Sequence, residues 1–134
     1  MKKTILVTSI ALVFAAGNIN ATTVIEKTKN YKVEKVVSNV NAFCLSIVKG
    51  DTETVQKLIS LGESVNAKSN GMTPLMYAAR FNRVEILKLL IANGAELKTK
   101  STQGFTALKY AKLSSANDAI AILEQAISEK KRKS

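Results

Sequence analysis

Between Thr73 and Glu96 apolar residues fall at helical spacing twice, with a break between the two runs. The first run, Leu75, Met76, Ala78 and Ala79, follows Thr73-Pro74. A threonine hydroxyl can accept from the free N–H groups of a helix start, and a proline at the first helical position loses nothing by lacking an N–H. Asn82 stands where this helix must stop, and asparagine tolerates the left-handed conformation that ends helices. The second run sets Val84, Leu87, Leu90 and Ile91 on one face, widened by Ile86 and Leu89, as in a helix packed on both sides. Asn93-Gly94 closes it with another left-handed turn. The connection is short, so the two predicted helices lie antiparallel.

The pattern recurs at a period of about thirty-three residues. Thr73 meets Thr106, Gly71 meets Gly104, Leu75 meets Leu108, Tyr77 meets Tyr110, Ala78 meets Ala111 and Leu90 meets Leu123, each 33 residues on. Going back 32 residues, Asn82 meets Gly50, Glu85 meets Glu53, Leu90 meets Leu58 and Gly94 meets Gly62. The residue lost lies in the loop between Gly62 and Thr73, an exposed place where a repeat tolerates a deletion.

On these residues the chain resembles an ankyrin-repeat protein. Gly71-x-Thr73-Pro74-Leu75-x-x-Ala78-Ala79 is similar to the family signature and departs from it at Met76, where the family usually has histidine. Gly94-Ala95-Glu96-Leu97 and Gly62-Glu63-Ser64-Val65-Asn66-Ala67 resemble the turn that leaves each repeat. The resemblance covers about residues 41–126, as repeats of about 41–67, 68–100 and 101–126. The third repeat departs most, with Ala107 for proline, Lys112 for the second alanine, Ser115 for the turn glycine and no exit turn after Leu123. A polar, irregular last repeat suits an end whose outer face meets water. The implied fold class is all-α, a solenoid of about three helix-turn-helix repeats with short β-hairpin-like connecting loops. The competing reading is an ordinary helical bundle with accidental self-similarity. The expected core takes Phe43, Leu45, Ile47, Val55, Leu58 and Ile59 from the first repeat. The second gives Leu75, Ala78, Val84, Leu87, Leu90 and Ile91, and the third Leu108, Ala111, Ile120 and Leu123.

The N-terminus changes the picture of where the chain works. Met1-Lys2-Lys3 is a basic start, and Thr4 to Ala16 is an apolar run without charge. This run falls short of the roughly 20 residues a membrane span takes. Residues 1–21 are therefore expected to be a secretory signal peptide, cleaved after Ala21, with Ala15-Ala16-Gly17 as a second choice. The expected location is periplasmic or secreted, with no stable membrane anchor after signal removal. Residues 22–40, rich in valine and lysine, read as a leader that covers the first repeat.

The formal net charge is +10, and +8 without Lys2 and Lys3. Lys130-Lys131-Arg132-Lys133 supplies half of the latter, so residues 127–134 read as a basic C-terminal tail. It is either a solvated, frayed helix end or a site for an anionic surface. No basic-aromatic alternation or nucleic-acid motif is present, and none of these partners is expected to be a nucleic acid. The chain has no histidine and a single cysteine, Cys44. Cys–His and Ser–His nucleophile pairs, Cys–His zinc sites and an intramolecular disulfide are thus excluded. Cys44 reads as a small buried hydrophobe. Asp51, Glu53 and Glu85 are the carboxylates an enzyme would have to use, and Glu53 and Glu85 read as acids favoured by a helix start. No catalytic, cofactor or metal-binding residue is expected.

The resemblance implies a non-enzymatic, monomeric protein-binding module that uses its loop tips and first helices. Mapped onto this chain, the partner-binding candidates are Met72, Arg80, Phe81, Phe105, Leu113, Lys49 and Lys112: an apolar patch flanked by basic groups. Alternatively Met72 and Phe105 pack on each other between adjacent tips. By analogy with exported bacterial ankyrin proteins, a guard, immunity or accessory role beside a periplasmic enzyme is a further reading.

Overall fold

The structure, a computed structural model, describes residues 40–134. The signal peptide and all of the leader except Val40 lie outside the described residues. Among the described residues six helices form three hairpins: α1 (Ala42–Lys49) with α2 (Thr52–Ser60), α3 (Pro74–Arg80) with α4 (Val84–Ala92), and α5 (Ala107–Leu113) with α6 (Asn117–Lys133). The first helices α1, α3 and α5 pack side by side in one layer, and the second helices α2, α4 and α6 in another. Among the described residues there is no strand; the hairpin-like loops reduce to tight turns, one of them carrying an isolated antiparallel bridge between Ser69 and Met72.

Local chemistry sets the helix starts. Asn41, Thr73 and Thr106 cap α1, α3 and α5 by accepting from the N–H groups of Cys44, Met76 and Lys109. The Thr73 N–H in turn donates to the Met76 sulfur. Each first helix ends at one left-handed residue at the same repeat position: Gly50 (φ 76°), Asn82 (φ 51°) and Ser115 (φ 53°). The serine shows that the third repeat keeps the turn although it has lost the glycine.

The core runs through the stack between the two layers. Phe43, Ile47, Val55, Leu75, Ala78, Leu87, Leu90, Ala111 and Leu123 are buried, as the periodicity requires. Leu58, Ile59, Ile91, Leu108 and Ile120 are partly buried against them. Leu45 and Val84 are only partly buried. Tyr77 and Tyr110 are buried as well, and their hydroxyls donate to the Ser69 carbonyl (2.8 Å) and the Ser101 hydroxyl (3.0 Å), tying each tip to the helix that follows it.

Several polar links join neighbouring repeats among the described residues, one of them the Asn41 N–H donating to the Ser69 hydroxyl oxygen at 2.8 Å. Arg83 donates through Nε and Nη2 to the Val48 carbonyl at 3.0 and 2.6 Å. The Asn82 side chain accepts from the Ala119 N–H at 3.1 Å. Asn66 accepts from the Glu96 N–H at 2.8 Å and donates to the Gly94 carbonyl at 3.2 Å. The Thr102 N–H donates to the Gly71 carbonyl at 3.1 Å, an approach that a Cβ on Gly71 would block by striking the Thr102 side chain.

The last helix departs from the repeat. Where α4 stops at Asn93-Gly94, the equivalent residues are Ala126 and Ile127, and neither favours a left-handed turn. The helix therefore continues to Lys133, supported by a Gln125–Glu129 side-chain hydrogen bond of 3.0 Å. The basic run 130–133 is helical.

Candidate functional site

The last turns of the three first helices carry two equivalent columns across the stack: Val48, Arg80 and Leu113, and beside them Lys49, Phe81 and Ser114. Phe81 is 41% exposed and Leu113 60%, large apolar side chains that the stack leaves facing water. Lys49, Arg80 and Ser114 are exposed, and Val48 is half-buried. The Arg80 guanidinium carbon lies 5.8 Å from the Phe81 ring centre, which fits a cation held over an aromatic face. Among the expected partner-binding residues, Lys49, Arg80, Phe81 and Leu113 thus lie together on one layer.

The other three do not join them. Met72, expected at an exposed tip, is only 9% exposed and belongs to the core, because its side of the Ser69–Met72 bridge turns inward. Ser69, its bridge partner, is buried too. Phe105 is half-buried against the core and stacks edge-on with Tyr110, ring centres 5.7 Å apart. Lys112 reaches to α6, where Nζ lies 3.2 Å from Glu124 Oε1. Its position is equivalent to Ala79, which is fully buried inside the stack, so Lys112 closes the end of the stack. Lys109 is likewise exposed where its equivalent Met76 is buried.

The titratable groups have structural partners. The Asp51 carboxylate accepts from the Thr54 hydroxyl (2.6 Å) and N–H (3.1 Å), which holds its pKa below the ordinary value and caps α2. Glu85 lies 3.8 Å from Lys88 on the surface. Cys44 is buried; loss of water, reinforced by the Glu63 charge, pushes its thiol up to about 12. Among the described residues no three His, Cys, Asp or Glu side chains are placed to hold a metal ion, and no helix is long and apolar enough to cross a membrane.

On the other layer, α4 and α6 flank a solvent-open groove of about 350 Å³. Its floor includes Ile91, Ala95, Leu97 and Ala126, with Lys130 and Lys133 at the rim.

Arg83 and Asn82 were not among the expected site residues. A signal for Arg83 is present: an arginine holds the N-cap position of α4, where a short polar residue is usual, and its side chain is needed elsewhere. Asn82 was read only as a turn former, and its bond to α6 depends on how repeats stack.

Comparison with known proteins bears on the same repeats. The family described as ankyrin repeats (3 copies) matches residues 11–101 and 43–133. The chain is 29% identical over 103 residues to dauer abnormal formation protein 25 of Caenorhabditis elegans, covering 75% of this chain and 26% of that protein. It is 44% identical over 59 residues to ankyrin repeat and SOCS box protein 11 of Homo sapiens (44% and 18%). It is 34% identical over 73 residues to the 2-5A-dependent ribonuclease of Mus musculus (53% and 10%). The chain therefore spans about a quarter or less of these relatives. Ankyrin repeats generally mediate protein–protein interaction, and by the repeats it shares with this family the chain belongs to it.

Proposed function

We propose that the chain is an exported, non-enzymatic module that binds a protein partner through the face formed by the last turns of α1, α3 and α5. The observation that carries this reading is the exposure of Phe81 and Leu113 at the ends of α3 and α5, on the same layer as the exposed Arg80 and Lys49. An apolar anchor ringed by polar and basic groups is the usual make-up of a binding hot spot. Export rests on the basic start and apolar run of residues 1–16, and the partner is accordingly sought in the periplasm or outside the cell. An accessory role beside an enzyme of that compartment fits the same face.

The test replaces Phe81 and Leu113 by serine together and compares affinity captures from the periplasmic fraction. Loss of the wild-type partners with an unchanged melting curve supports this face; an unchanged set of partners removes it. The helical run Lys130–Lys133 favours a second reading, attraction to an anionic surface, since none of its four cations forms an ion pair among the described residues. Neutralising that run and repeating the capture separates the two.

A further inference from the structure

Charge is divided between the two halves of every repeat. The stretches that form the tips, first helices and following turns (40–50, 64–84 and 97–117) hold eight basic residues and no aspartate or glutamate. All eight carboxylates of residues 40–134 lie on the second helices, their caps or their exit turns. Some of the eight cations are already engaged: Arg83 with the Val48 carbonyl, Lys112 with Glu124. Lys109 stands at the end of the stack. On the first-helix face itself, Lys49 and Arg80 remain exposed with Phe81 and Leu113; Asp51, the cap of α2, lies near enough to Lys49 to feel its charge, and neither cation forms an ion pair among the described residues.

We infer that the partner segment that docks on this face is an acidic polypeptide presenting an apolar side chain between its carboxylates. This rests on the reading of the face as a protein-binding surface and adds the chemistry of what it binds. The apolar side chain would pack on Phe81 and Leu113, and the carboxylates would meet Lys49 and Arg80. Arg80 offers a planar fork suited to a carboxylate, and the ring beneath it holds that fork in place. A face whose first helices carry cations and no carboxylate also speeds the encounter with such a segment and repels basic competitors. A nucleic acid fits less well: the face has one exposed aromatic ring rather than a series on which bases stack, and the densest cations, 130–133, lie on the other layer.

The experiment pans a phage-displayed library of random peptides against the full chain, and titrates synthetic copies of the selected peptides into variants. The expected peptides are rich in aspartate and glutamate around a Phe, Leu or Ile. They should bind Lys49→Glu/Arg80→Glu and Phe81→Ser each about tenfold or more weakly, weaken in raised salt, and bind Lys130→Gln/Lys131→Gln as they bind the wild type. Melting curves matching the wild type show that the variants fold, and Lys49→Gln/Arg80→Gln gives a milder second pair. Selected peptides that need Phe81 but carry no acidic residues overturn the inference and leave the binding face standing. Acidic peptides indifferent to both Phe81 and Arg80 overturn both. Failure to select any peptide overturns the inference, as does tighter, Arg80-dependent binding of a single-stranded oligonucleotide.

Discussion

Asn82 does two things with one side chain. Its backbone takes the left-handed turn that ends α3, and its amide oxygen accepts from Ala119, the third residue of α6. Helix α6 has no side-chain cap of its own, because its N-cap is Ala116. Asn82 is therefore the cap of a helix in the next repeat. Asn82→Gly keeps the turn and removes the cap, so it is expected to lower stability by about 1 kcal/mol in urea titration. A loss near zero would show that water serves Ala119 equally well. Cys44 carries a second expectation at this scale. Its thiol is raised from the ordinary value of 9.0 to about 12, so the fold favours the protonated form. That contribution is complete below 9.0 and is lost as pH rises toward 12, because the unfolded chain ionises first. From about pH 8 to about pH 10, wild type should lose about 1.4 kcal/mol more than Cys44→Ala. Parallel pH profiles for the two proteins would refute it.

At the scale of the helix, starts and stops were readable because caps are local: Thr73-Pro74, Asn82 and Gly94 each act within a few residues of themselves. Apolar spacing was equally readable where a helix packs on both sides, and Leu90 in α4 is fully buried as that spacing requires. Leu90→Ala is expected to cost about 2–5 kcal/mol, and in so small a stack to unfold it near physiological temperature. A denaturation midpoint equal to wild type would contradict the register of α4. The tips were not readable in the same way. Met72 points into the core because a single backbone bridge orients it, and a turn of this length has no periodicity to announce which side faces in. Four of the seven candidate residues, Lys49, Arg80, Phe81 and Leu113, were legible as exposed, since they follow from their positions at the ends of the first helices. Lys112 is exposed on α5, and its contact with Glu124 was not legible because that partner is supplied by another helix.

At the scale of the whole stack, the third repeat turns a polar outer side to water where the middle repeat is apolar. Lys109, Lys112 and Glu124 occupy the positions at which Met76, Ala79 and Ile91 meet the following repeat. Restoring the inner residues with Lys109→Met, Lys112→Ala and Glu124→Ile together should uncover an apolar end and cause self-association, read by light scattering on a sizing column. An unchanged mass would mean that the extended α6 closes the end by itself. The Arg83 and Asn82 links have a different consequence. Both hooks belong to the middle repeat, one reaching back and one reaching forward; both catch main-chain atoms, the carbonyl of Val48 and the N–H of Ala119, and Asn82 also donates to the Asp118 carboxylate at 3.4 Å. Any residue supplies that carbonyl, and any residue but proline supplies that N–H. At Val48 and Ala119 the outer repeats are thus free to drift in side-chain identity, while Asn82 and Arg83 of the middle repeat, like Asn66 where the first repeat holds Gly94 and Glu96, are not.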